Sequence, residues 1–248
     1  MRLEVREAKG SDFGVLRDIG RGVGSNDVDD AYFRFVSTEG RLCMAVDRSS
    51  ASERIIGYAA AVPVGEVTMI SDLFVDRSVH GNGVGGVLAR AIIADSDRVM
   101  TCSSQHPAAT RVYERFGLQH RARLLYLVGS AVGGGSPLLP APWTGGRGSL
   151  VEFLESTGAR VCGDIVIRDD DAEVQVLRLD GSRSEEQLQR VLAACPQGRS
   201  VRCCAIESTR LAAWAVAHGF VVVDHDLFMA TRGVAIDAPD SCVHPGLW

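Results

Sequence analysis

The sequence predicts a mixed α/β fold, with a central, mostly antiparallel sheet flanked by helices and a second, smaller domain after it. Three observations predict it. Apolar runs of strand length follow one another between residues 42 and 75 with no helix between them. A four-glycine cluster then opens an amphipathic helix, and a Gly/Pro-rich stretch precedes a C-terminal part that repeats this order. The 248 residues, 46% hydrophobic and 23% charged, have the composition of an ordinary globular protein with a real core.

In chain order, Leu3 to Glu7 alternates apolar and charged residues and reads as a strand. Asp12 to Arg21 carries Phe13, Leu16 and Ile19 at helical spacing, and Val28 to Ser37 reads as a second helix. Leu42 to Val46, Ile55 to Val64 and Val67 to Val75 are strands, the last two joined by a turn at Gly65-Glu66, and together they predict an antiparallel meander. A helix from Gly83 to Ala94, a strand from Arg98 to Ser103, a helix from Pro107 to Phe116 and a strand from Arg121 to Val128 complete residues 1–129. Ten of the twenty residues from Gly129 to Gly148 are Gly or Pro, which predicts a linker over 130–148 and a second domain over 149–248.

Composition excludes several functions. A net charge of -5 leaves no basic excess for phosphate backbones, so nucleic acid is not expected as the primary partner and a cationic ligand fits better. Seven cysteines without a C-x-x-C spacing support neither a disulfide framework nor a zinc site, and no metal is expected. Leu124 to Gly146 is uncharged, but nine of its residues are Gly or Pro, so no membrane partner is expected. The start has no apolar secretion signal, and only Lys9 is lysine among 26 basic residues, a skew of GC-rich coding. Both lead to the expectation of a cytoplasmic, bacterial protein.

The informative stretch is Ile70 to Ile93. Gly81-x-Gly83-x-x-Gly86 satisfies a dinucleotide pattern, yet five residues, Asp76 to His80, separate it from the strand, and Thr101 to Gln105 lacks the acidic residue such a site expects. Read instead as His80-x-x-Gly83-x-Gly85, the segment resembles the acyl-CoA loop of the GNAT superfamily of N-acetyltransferases. Glycines let successive N–H groups converge on a pyrophosphate, and the following helix adds its positive dipole end. His106 to Leu118, with Tyr113-Glu114-Arg115-Phe116-Gly117-Leu118, is similar to that family's second motif, its Tyr113 33 residues beyond His80.

The resemblance covers residues 3–128 and implies acetyl-CoA as co-substrate, held at His80, Gly81, Asn82, Gly83, Val84, Gly85 and Gly86, with His106 opening the second motif. It also implies that Leu73, Phe74 and Val75 pair with the pantetheine arm as a strand pairs with a peptide. Tyr113 falls on the family tyrosine that protonates the departing thiolate; read alone, it is more readily a half-buried helix tyrosine bonded to a carbonyl, and the glycine loop 33 residues upstream reverses that preference. His80 and His106 depart from the family's usual Arg or Gln and Asn. Asp72 is the preferred general base, Glu66 a second candidate, and Ser71 stands where many members carry an acid.

The C-terminal part repeats two windows. Asp180-Gly181-Ser182 followed by Val191-Leu192-Ala193 matches Asp76-Arg77-Ser78 followed by Val87-Leu88-Ala89, and Trp214 to Phe220 matches Val112 to Leu118. Ser184 to Gln189 lies over the loop with no glycine and two carboxylates, and Ala215 lies over Tyr113, so this copy is expected not to bind CoA. Half a fold leaves a face to be buried, against the first domain or in a homodimer. His218, His225 and His244 read as surface or core residues. The sequence thus points to an acetyl-CoA-dependent N-acetyltransferase acting on a small-molecule or peptide amine by direct attack in a ternary complex. The alternative is a non-catalytic acyl-CoA-binding or regulatory protein. The acceptor pocket is expected from loops such as Arg21 to Asp30.

Overall fold

The computed structural model describes residues 1–24, 29–49, 53–94, 96–146, 148–179 and 183–234. Residues 25–28 of the expected acceptor loop, the start of the second helix at Val28, the Asp180-Gly181-Ser182 window and His244 lie outside the described residues. By its contacts the chain divides into two compact units. The first is Met1–Gln119 with Met229–Val234, and the described part of the second is His120–Phe228.

In the first unit the expected elements form with small shifts at their ends: β1 (Leu3–Glu7), α1 (Phe13–Gly22), α2 (Asp30–Glu39), β2 (Arg41–Asp47), β3 (Arg54–Val64), β4 (Val67–Val75), α3 (Val84–Ile93), β5 (Val99–Ser103) and α4 (Pro107–Glu114). Their sheet runs in the order β1-β2-β3-β4-β5. The β1/β2, β2/β3 and β3/β4 pairs are antiparallel and β4/β5 is parallel. The core holds Leu16 from α1, Phe33 and Val36 from α2, Met44 and Tyr58 from the sheet, and Leu88 and Ile92 from α3. The Asp29 side chain accepts from Tyr32 N at 2.8 Å, which fixes the first turn of α2.

The second unit contains β6 from His120 onward (the whole strand is Gln119–Ser130), α5 (Gly148–Ser156), β7 (Arg160–Val161), β8 (Ile165–Asp169), β9 (Val174–Leu179), α6 (Ser184–Ala194), β10 (Ser200–Ile206), α7 (Arg210–Ala217) and most of β11 (Val221–Ala230). β7, β8 and β9 form an antiparallel meander, and β10 joins β9 in parallel. The order strand, strand, strand, helix, strand, helix is that of β2 to α4.

The contact division falls at Gln119/His120, ahead of the Gly129 boundary that the Gly/Pro composition suggests. The strand expected to end the first domain, Arg121 to Val128, lies inside β6 and pairs antiparallel with β10, from Ser200↔Ser130 to Ile206↔Leu124. The neighbour of β5 comes from the far end of the chain: Thr231 N donates to Val99 O at 2.9 Å and Val99 N donates to Thr231 Oγ1 at 3.0 Å. Each repeat thus takes the strand that follows the other's last helix. The glycine-rich segment after β6 is bonded too, since Val132 N and Gly133 N donate to Leu192 O and Gly135 N to Ala193 O, closing the free carbonyl end of α6.

Ending the chain after Phe228 removes this neighbour from β5. The amides of Val99 to Ser103 are expected to lose their protection against hydrogen exchange, while those of β8 and β9 keep theirs.

Candidate functional site

β4 stays beside β5 only through Thr68↔Val99, Met69↔Met100 and Ile70↔Thr101. Thr101 Oγ1, buried, donates to Ile70 O at 3.0 Å where the two strands part. On its other edge β4 remains paired with β3, but the register jumps from Ala61↔Ile70 to Ala60↔Asp72. Ser71 is therefore the extra residue of a β-bulge, a device that re-aims neighbouring side chains. Beyond it Leu73, Phe74 and Val75 pair with Ala59, Tyr58 and Gly57, leaving their other edge without β5.

The strand end leads into the glycine loop. His80 Nε2 donates to Val75 O at 2.8 Å and so ties the loop back to β4. Asn82 Nδ2 donates to Val79 O at 3.2 Å. Gly81 and Gly83 have φ of 82° and 81°, a left-handed conformation that a side chain would strain. Gly83 is the N-cap of α3, so the first N–H groups of that helix, from Val84, Gly85 and Gly86, open its donor end. Gly86 is the informative case. Its φ is not positive and a Cβ there would meet no atom within 4 Å, so neither backbone nor packing demands glycine.

His106 begins α4 as expected: its Nδ1 accepts from Ala108 N at 3.2 Å, with Pro107 at the first helical position. Tyr113 is buried on this helix, and Gly117 with φ of 80° ends it as Leu118 N reaches back to Tyr113 O at 3.2 Å. Glu66, the second candidate base, is exposed and bound to Arg98 at 2.6 Å. It precedes Asp72 by six residues, roughly 20 Å along an extended strand, so the two carboxylates cannot share a role.

Asp72 sits in a group that spacing alone did not reveal. Its Oδ2 takes a hydrogen bond from the Tyr32 hydroxyl, which also lies 2.8 Å from Ser71 Oγ. Tyr58 packs edge-on against Phe33 and Phe74, at centroid distances of 5.5 Å in both cases. Burial pushes the Asp72 carboxyl up to about 6, opposed by the Tyr32 hydrogen bond that favours the charged form. Burial first, and the Asp72 charge second, push the Tyr32 phenol well above its ordinary range. Tyr32 was missed because a tyrosine at an apolar helix position reads as core. Only the 40-residue closure onto Asp72 gives it another meaning.

The second unit repeats the frame without these groups. Its meander has the same bulge, with Val166↔Arg178 followed by Ile167↔Val176, so Leu177 stands where Ser71 does and Arg178 where Asp72 does. Gly219 with φ of 87° ends α7, and Phe220 N donates to Ala215 O at 3.0 Å, the bond that Leu118 makes to Tyr113, which puts Ala215 in the tyrosine's place. Ser184 to Gln189, the segment matched to the glycine loop, forms the first half of α6. A cavity of about 720 Å³ in this unit is lined by Leu138, Leu139, Asp164, Arg183 and Arg190 among others, with Arg190 bonded to Asp164 at 3.0 Å.

Among the described residues, no cluster of His, Cys, Asp and Glu could hold a metal ion, and no helix is long and apolar enough to cross a membrane. Residues 16–118 match the model of the acetyltransferase (GNAT) family. No curated protein matches the chain. Among solved structures, a protein of Pyrococcus horikoshii described as an acetyltransferase is similar over 99% of this chain and 95% of its own, with a TM-score of 0.71 at 12% identity. A GCN5-related N-acetyltransferase of Kribbella flavida is similar over 92% of this chain and 71% of its own, with a TM-score of 0.57 at 17% identity. A Thermoplasma acidophilum protein described as an acetyltransferase gives 0.54 over 92% of this chain and 99% of its own, at 14% identity. At these identities the likeness is one of fold.

Burial that pushes the Asp72 carboxyl up to about 6, against an ordinary 3.8, makes it bind its proton more tightly in the folded chain. Its ionised form therefore costs stability above pH 6, and the cost vanishes below about 3.8. Asp72→Asn, whose amide oxygen still accepts from Tyr32, is expected to raise Tm at about pH 8 and to leave it unchanged near pH 3, as scanning calorimetry at the two pH values would show.

Proposed function

We propose, from the premise that residues 16–118 form a GNAT-family acetyltransferase domain, that this chain transfers an acetyl group from acetyl-CoA to a primary amine of a small molecule or peptide. Transfer is by direct attack with both substrates bound. The observation that carries the reading is the juxtaposition of a strand edge freed from β5, a loop whose glycines the fold does not all require, and a carboxylate pushed up to about 6 beside that edge.

The residues fit the co-substrate. Val84, Gly85 and Gly86 offer main-chain donors to the diphosphate at the positive end of α3, which suits a chain of net charge -5 that does not bind anions through a broad basic surface. Leu73 to Val75 offer main-chain groups to the pantetheine arm, although the Val75 carbonyl already accepts from His80. The bound thioester supplies the acyl carbon and a thiolate leaving group. Asp72 takes the proton that the attacking amine must lose, the new C–N bond forms as the C–S bond breaks, and Tyr113 donates its phenolic proton to the sulfur and regains it from solvent. A carboxylate with an ordinary value near 4 would be a weaker base, so the raised value serves this role.

The second unit takes no part in this chemistry. It has Arg178 and Ala215 at the places of Asp72 and Tyr113, and a helix with Glu185 and Glu186 in its first turn where the glycine loop would be.

Calorimetric titration with acetyl-CoA is expected to give one site per chain. Gly86→Asp adds a carboxylate where no protein atom is in the way and where a helix N-terminus accepts one, so the variant should fold and lose most of its affinity. Unchanged affinity in the folded variant, or two equivalent sites per chain, would refute the assignment. Tyr113→Phe should bind acetyl-CoA normally while turnover, followed by thiol release across a panel of amines, falls roughly 10- to 10,000-fold. Binding without any turnover across the panel would favour the alternative of a non-catalytic acyl-CoA-binding protein.

A further inference from the structure

We propose that Tyr32 is a positioning residue for the Asp72 carboxylate, and that Ser71, Tyr32 and Asp72 form a hydrogen-bond chain that reverses its direction when Asp72 takes up a proton. The proposal rests on the reading of Asp72 as the base, and its geometry stands apart from that reading. The Tyr32 hydroxyl touches both Asp72 Oδ2 and, at 2.8 Å, Ser71 Oγ, but a phenol has one proton to give. When Asp72 is ionised it can only accept, so Tyr32 donates to it and the Ser71 hydroxyl donates to the phenol oxygen. When Asp72 is protonated its own O–H becomes a donor. Asp72 then donates to Tyr32 and Tyr32 to Ser71, and the O–H of half-buried Ser71 turns away from the phenol. The two hydrogen bonds on the Tyr32 hydroxyl persist in both charge states without moving a heavy atom.

The fold holds the three groups in place. The bulge puts Ser71 and Asp72 in consecutive positions within reach of one phenol, and the Asp29 cap pins the backbone N–H of Tyr32 itself. Tyr32 is buried, with its ring 5.9 Å from that of Phe33. The titratable groups facing Asp72 are Tyr32 from α2 and Tyr58 from β3. The Tyr58 hydroxyl is buried without a hydrogen-bond partner, and burial together with the Asp72 charge keeps it neutral. Tyr32 is therefore the hydrogen-bond donor that favours the Asp72 carboxylate, and removing its hydroxyl moves the carboxyl further up.

The test is a carbon-detected NMR titration of the Asp72 carboxyl in the intact chain, read beside the pH dependence of kcat/KM. Tyr32→Phe keeps the ring and is expected to raise the Asp72 midpoint by about one pH unit, with the acid limb of kcat/KM moving up by the same amount. Ser71→Ala, which leaves α2 untouched, should raise both by a smaller amount, and Tyr58→Phe should raise neither. An Asp72 midpoint unchanged in both Tyr32→Phe and Ser71→Ala would overturn the proposal. Should the NMR midpoints shift as expected while the acid limb ignores Asp72, the chain stands and the assignment of Asp72 as base falls.

Discussion

Everything chemical in the first unit depends on one interruption of hydrogen bonding. β4 is held by β5 for three residues, through Ile70, and then leaves it, with Thr101 closing the last carbonyl at the fork. A strand normally cannot leave a partner without orphaning buried main-chain groups. Here the loss falls on Leu73 to Val75, which stay paired with β3 alone among the described strands, and the bulge at Ser71 turns the neighbouring side chains toward α2 at the same place. In the proposed function, this one local irregularity supplies both a main-chain edge for the co-substrate and a seat for the base.

The electrostatics follow from this economy. In the proposed function, a net acidic chain would hold a diphosphate through helix N–H groups and a dipole, which need no counter-charge and suit a site that also takes a cationic amine. The cost of burying Asp72 appears as a carboxyl near 6, and the Tyr32 hydrogen bond keeps that cost from growing further. In the proposed role of base, a carboxyl pushed up to about 6 is ready above that pH and idle below it.

The second unit shows how much of the frame survives without the chemistry. Its meander, its bulge and its glycine-capped last helix repeat those of the first, yet Arg178, Ala215 and the start of α6 occupy the places of Asp72, Tyr113 and the glycine loop. Packing demands apolar residues at the inward positions of both units and is indifferent to what stands at the bulge. The terminal strands are exchanged between the repeats: β6 completes the sheet beside β10, and Met229 to Thr231 complete the edge of β5, so neither repeat has all its strands from its own stretch of chain.

The sequence by itself determined the local structure. Alternation and helical spacing placed β1 to β5 and α1 to α4 within a few residues, because burial of one face is a local pattern. Gly81 and Gly83 were legible because a positive φ excludes other residues, and Tyr113 because its motif places it on a helix at a set distance from the loop. Only the tertiary structure decided which strands become neighbours. β6 and the end of β11 have the same apolar character, and nothing in alternation states which of them lies beside β5 or β10. Tyr32 and Ser71 were likewise out of reach: their bond to Asp72 joins a helix to a bulge across 40 residues, and a contact at that separation is set by how elements pack, not by the order of residues within any one of them.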